Sequence, residues 1–116
     1  KTTTKRILFV GPPFCYDLQV YLYENICAHL DLEIYYKPHP TTGVFSEMRN
    51  VGWLVIEDRG IFPEVDYLIS YPSTLAIEYK DLNTPLFTHA LTEEESNFPL
   101  IAEEVILFLS SKMAPK

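Results

Sequence analysis

Two short clusters carry side chains suited to holding a phosphoryl group. The first is Lys37-Pro38-His39-Pro40, in which prolines on both sides fix the backbone around an imidazole. The second is Ser70-Tyr71-Pro72-Ser73-Thr74, with the three Ser and Thr hydroxyls of Ser70, Ser73 and Thr74 within five residues and Glu78 one helical turn beyond Thr74. Each cluster closes an apolar run that reads as a strand, Leu32 to Tyr36 and Tyr67 to Ser70, and a helix is expected to begin at Ser73. The first turn of a helix leaves backbone N–H groups without intrahelical partners and carries about half a positive charge. Hydroxyl donors on Ser73 and Thr74 would let that end hold an anion without net basic charge nearby. A phosphate dianion favours the imidazolium form of a neighbouring histidine, and a charged hydrogen bond of this kind contributes roughly 1.5–3 kcal/mol. Lys37 is placed to serve either the ligand or the core edge, and Glu78 either ribose hydroxyls or a surface pairing with Lys80.

Plainer explanations compete with this chemistry. Two prolines make a rigid exit turn whether or not His39 touches a ligand. Helix capping accounts for one Ser or Thr before a helix, although three hydroxyls exceed what a cap needs. Asp66 reads as a residue that satisfies backbone at the strand entrance, His29 as a cation at a helix carboxyl end, and His89 as a residue at the end of the fifth strand. A hydrolase triad of Ser73, His39 and Asp66 can be written down, but no Gly-x-Ser-x-Gly elbow surrounds the serine. No His, Cys, Asp and Glu spacing matches a metal site, and Gly11-Pro12-Pro13 is neither a P-loop nor a dinucleotide fingerprint. No cofactor is implied.

The chain around these clusters has 116 residues, enough for one domain with one core. It is 47% hydrophobic and 14% aromatic, which excludes disorder as the default. A net charge of −7 argues against binding nucleic acid through its backbone, yet permits a small nucleotide held by a helix terminus. Two isolated cysteines, Cys15 and Cys27, point to a reducing compartment, and no apolar run reaches the length of a membrane span. The expected setting is the cytoplasm, with contact to the inner membrane face only through a parent enzyme. A chain that opens on Lys1 instead of methionine suggests a piece of a longer protein.

The elements expected in order are a strand over 6–10, a helix over 18–30 with Asp17 as N-cap, and strands over 32–36, 53–56, 67–70 and 85–88. Helices are expected over 73–81 and about 98–110, with a short one within 41–51 and a helical turn within 61–65. Strands alternate with helices and most are continuous apolar runs, the pattern of a parallel sheet covered on both faces. The fold class is therefore α/β, a three-layer Rossmann-like sandwich with a five-stranded parallel sheet. Ligands in such sheets sit beyond the strands' carboxyl ends, where loops 11–15, 37–40 and 70–74 lie.

These motifs resemble the C-terminal nucleotide-binding domain of GT-B type glycosyltransferases, especially the bacterial polysialyltransferase and sialyltransferase group and the CDP-glycerol glycerophosphotransferases. The likeness covers residues 5 to 90 and rests on the His-Pro pair at 39–40 and on the strand leading to Ser73-Thr74, followed by Glu78. It departs from that pattern at Tyr71-Pro72, where many relatives carry an aspartate-tyrosine-serine-serine run. The resemblance implies that His39, Ser73 and Thr74 hold the phosphate of a CMP- or CDP-linked donor, with His39 stabilising the departing phosphate in an inverting transfer. It also implies a separate N-terminal acceptor domain, so that this domain alone binds without turning over. The alternative from another class is a non-catalytic flavodoxin-like interaction or response domain, which the tyrosine surplus would suit.

Overall fold

The computed structural model describes residues 5–11, 17–39, 51–56, 63–73, 77, 79, 83–90 and 94–113. Its elements are β1 (Arg6–Val10), α1 (Asp17–His29), β2 (Glu33–Lys37), β3 (Leu54–Val55), β4 (Tyr67–Ser70), β5 (Leu86–Thr88), a 3-10 turn (Glu95–Asn97) and α2 (Phe98–Met113). The five strands form one sheet in the order β3-β2-β1-β4-β5. Every neighbouring pair is parallel, with Leu8 level with Tyr35 on one side and Leu68 on the other.

Alternation along the strands sends two apolar sets to opposite faces. Ile7, Phe9, Ile34, Tyr36, Tyr67 and Ile69 pack with Leu18, Leu22 and Ile26 of α1 and Ile101, Val105 and Leu109 of α2. Leu8, Val10 and Leu68 meet Tyr79 on the other face. Ile77 and Tyr79 are helical, and Tyr79 packs on this second face. Burial of both faces is why these strands are apolar throughout, and each fully buried Leu, Ile or Phe contributes roughly 1.5–3 kcal/mol.

Trp53 fills the wedge between β2 and α1. Its ring stacks on Tyr36 at 4.3 Å and meets Tyr23 edge-on at 5.3 Å. Phe108 does the same at the other flank, edge-on to Phe87 at 5.7 Å and to Tyr67 at 6.4 Å. These aromatic contacts pin α1 and α2 over the two halves of one face, which absorbs much of the aromatic surplus into the core. Among the described residues no helix is long and apolar enough to cross a membrane.

Strand ends differ from the sequence expectation in small ways. Lys37 is the last residue of β2 and not part of its exit turn, because the ladder with β1 runs on to Val10 opposite Lys37. Asp17 lies inside the first turn of α1, where a carboxylate suits the helix dipole. β3 has two residues where four were expected. The short helix expected within 41–51 falls almost wholly outside the described residues, as do residues 57–62, and of the helical turn expected within 61–65 the described residues 63–65 are not helical.

Candidate functional site

Chain direction reverses its march across the sheet at β1: β2 and β3 are added on one side, then β4 and β5 on the other. Beyond the carboxyl ends of β1 and its two neighbours the connections must diverge, and in open parallel sheets the crevice that takes ligands is expected there. Three segments border it: Gly11 after β1, Pro38-His39 after β2, and Tyr71-Pro72-Ser73 after β4.

Gly11 sets the floor. Its amide N–H donates to the Lys37 carbonyl at 2.8 Å, carrying the β1–β2 pairing one step past the strands. A Cβ on Gly11 would collide with the buried Tyr36 phenol, 2.7 Å from its Cζ and 3.0 Å from the Lys37 carbonyl oxygen. Only a residue without a side chain lets the two chains approach this closely.

The walls are the two loops. The His39 and Tyr71 rings lie 6.5 Å apart between centroids, tilted by 39°. That contact brings the ends of β2 and β4 together across β1. Both rings are half-buried. Burial pushes the Tyr71 phenol above its ordinary range, so it stays protonated at neutral pH and keeps an O–H to donate.

Ser70 is fully buried. Its hydroxyl donates to the Tyr71 carbonyl, and its Oγ lies 3.3 Å from Ser73 Oγ. A serine hydroxyl has one proton, so with Ser70 donating to Tyr71 it is Ser73 that donates in the serine pair. Ser70 thus shapes the turn, while Ser73 is the half-buried hydroxyl at its open end. The Ile77 amide donates to the Ser73 carbonyl at 3.2 Å, a backbone bond of helical i to i−4 spacing. Thr74 and Glu78 lie outside the described residues. Lys37 is buried at the end of β2, where its carbonyl accepts from Gly11.

Asp66 stands at the opposite end of β4. Its Oδ2 accepts the Arg6 amide at 2.9 Å at the start of β1. Four strand residues at ~3.3 Å each separate it from the Ser70 end, on the order of 13 Å. That distance removes Asp66 from any triad with His39 and Ser73. His29 likewise serves the backbone, its Nδ1 donating to the Asn25 carbonyl at 2.9 Å.

Sequence reasoning missed a buried polar pair on the α1 face of the same edge. Gln19 is fully enclosed, and its Nε2 donates to the Val10 carbonyl at 2.9 Å and meets His89 Nε2 at 3.0 Å. The signal was present: Gln19 precedes Leu22 and Ile26 by three and seven residues, which places it on the buried stripe of α1.

A cleft of about 190 Å³ lies elsewhere, lined by Tyr23, Cys27, Leu32, Glu33, Ile34, Gly52 and Leu54 at the starts of β2 and β3. Burial, reinforced by a hydrogen bond with Cys27, pushes the Tyr23 phenol up to about 12. Gly52, at φ 120°, presses its backbone against that ring. The cleft offers no arrangement for binding an anion, so its location does not displace the crevice at the strands' carboxyl ends. No group of three or more His, Cys, Asp and Glu side chains is placed to hold a metal ion among the described residues. Comparison of the chain with protein-family models, curated proteins and solved structures gave no match in any of the three.

Proposed function

We propose that the crevice over β1 binds the phosphate part of a nucleotide, and that the chain is the donor-nucleotide half of a transferase using a CMP- or CDP-linked donor for surface polymer synthesis. The observation that carries this reading is the meeting of two loops at the reversal point of the sheet, His39 from β2 and Tyr71 to Ser73 from β4, across the bare backbone of Gly11. The Tyr71 phenol is a neutral donor on one side, and the His39 imidazole, a ring whose nitrogens suit a phosphate oxygen, stands on the other. Their role in the whole enzyme is to stabilise charge on the departing phosphate, with His39 as the residue that touches it. Ser70 acts through Ser73, whose hydroxyl it holds in place.

Heteronuclear NMR tests the reading directly. Addition of millimolar CMP or CDP should move the amides of Lys37, His39, Tyr71 and Ser73 while leaving those of Arg6 and Glu33 in place, and UDP serves as the base control. His39→Ala should abolish these shifts and keep the melting temperature within a few degrees. Silent resonances at 37–39 and 70–73 in the wild type would falsify the site.

A second reading, a non-catalytic interaction domain, is favoured by exposed Leu54, Ile77, Leu100 and Leu107, all more than half exposed. It predicts no nucleotide-dependent shift at all. A phospho-acceptor version finds Gly11 where it would need a carboxylate after β1.

A further inference from the structure

We propose that the outer face of α2 is a docking surface for a basic amphipathic helix of a partner protein. α2 carries more apolar side chain than the sheet and α1 can cover. Phe98, Ile101, Ala102, Val105 and Leu109 enter the core, and Ile106 and Phe108 pack at its margins. Leu100 and Leu107 stay outside, 57% and 65% exposed. They are seven residues apart, two turns of helix, so they stand on one line about 10 Å long. Between them on the same face are Glu103 and Glu104, both exposed. Positions 100, 103, 104 and 107 form the i, i+3, i+4, i+7 set that one helix presents to another.

Charge selects the occupant. Neither Glu103 nor Glu104 forms an ion pair with a described residue; the two such pairs, Lys5 with Asp66 and Arg6 with Glu33, lie at the amino end of the sheet. Residues 90–111 include no Lys, Arg or His, and the exposed Glu94 and Glu95 carry the acidic character past the start of α2. Covering the two leucines also takes water from the carboxylates between them, which is costly unless each meets a cation. The complementary surface is therefore apolar opposite Leu100 and Leu107 and basic opposite Glu103 and Glu104. A second copy of this chain would bring the same carboxylates to the contact, and with a net charge of −7 the two copies repel. An anionic membrane surface is disfavoured for the same reason.

None of these α2 residues is among those that border the crevice over β1, so docking and nucleotide binding are separable in one spectrum.

The probe is a peptide of about 18 residues, five helical turns, with leucine along one face and lysine elsewhere, titrated into the ¹⁵N-labelled chain. The amides of Leu100, Glu103, Glu104 and Leu107 should shift, while those of Lys37, His39, Tyr71 and Ser73 stay in place. Two control peptides, one with glutamate for lysine and one of the same composition with its leucines scattered, should bind at least tenfold more weakly. Glu103→Lys combined with Glu104→Lys should lower the affinity at least tenfold, and so should Leu100→Gln combined with Leu107→Gln. All four positions are exposed and Lys and Gln are good helix formers, so both variants should melt within a few degrees of the wild type. Should either fail to fold, salt supplies the remaining arm: affinity should fall at least tenfold between about 0.05 and 0.5 M NaCl. A silent titration, shifts centred outside 100–107, equal binding of either control peptide, or an affinity unchanged by the substitutions or by salt overturns the proposal. So do α2 shifts that grow with the chain's own concentration before peptide is added, which would make the occupant a second copy. Shifts of the same amides with phosphatidylcholine vesicles but not with peptide would make it a lipid surface, and overturn the proposal equally.

Discussion

The two ends of the sheet are built from different chemistry. At the amino end, charges settle with one another on the surface: Arg6 Nε donates to Glu33 at 3.0 Å, Lys5 lies 4.0 Å from Asp66, and the Tyr35 phenol donates to the same Glu33 oxygen at 2.7 Å. Side chains there are about half exposed, and the strands' first backbone groups are taken by each other and by Asp66. At the carboxyl end the polar groups are mostly uncharged and buried: Ser70, Gln19 and His89. Charge in water is cheap to keep and weak in effect, whereas buried polar groups persist only when each has a defined partner. The contrast teaches where geometry is over-determined. The amino end pairs charges that water already solvates; at the carboxyl end Ser70, Gln19 and His89 hold buried hydrogen bonds, although Gln19 Oε1 has no hydrogen-bond partner among the described residues.

Substitution at Gly11 should break this contrast most severely. Gly11→Ala drives a methyl group into Tyr36, which is fully buried and stacked on Trp53, and against the Lys37 carbonyl. Overpacking of this kind costs about 1–3 kcal/mol, so the urea midpoint should drop accordingly, and nucleotide shifts at His39 should weaken with it. A midpoint equal to that of the wild type would mean that the close approach of β1 and β2 is not a constraint.

Ser73→Ala ranks next. It removes the hydroxyl that donates to Ser70, on a residue whose carbonyl accepts the Ile77 amide, a loss of about 0.5–2 kcal/mol. Ligand shifts should shrink further than this loss of stability explains. A variant that loses stability but retains full nucleotide response would assign Ser73 to the turn alone.

Much of this was legible from residue pattern. The apolar runs at 7–10 and 67–69 announced central strands because both faces of a parallel sheet are covered, and the Leu18, Leu22 and Ile26 stripe announced a helix lying on it. Strand-end placement of Pro38-His39 and Tyr71 to Ser73 followed from chain direction alone, since every strand runs the same way. What resisted was pairing at a distance. Gln19 and His89 are 70 positions apart, and neither residue type declares that it will be buried against the other. His89 looked peripheral because β5 is an edge strand; the closing partner came from α1. Ser70 misled in the opposite direction, since a hydroxyl in a motif gives no indication that its proton is committed to the next carbonyl. Local pattern fixes elements, while donor assignment emerges only after packing.

The smallest expected effect sharpens the comparison from the amino end. Asp66→Asn retains an oxygen to accept the Arg6 amide and removes only the charge opposite Lys5. The pair is long and half exposed, so its loss should cost no more than about 1 kcal/mol by urea unfolding. The difference should vanish in 1 M salt, where screening acts within about 3 Å. Nucleotide shifts at the far end of β4 should be untouched, since nothing in the crevice bonds to Asp66. A loss well above that size, or one that survives salt, would show that Asp66 matters as a backbone acceptor whose geometry an amide cannot reproduce. The amino end would then be over-determined too, and the asymmetry between the two ends would be one of charge rather than of order.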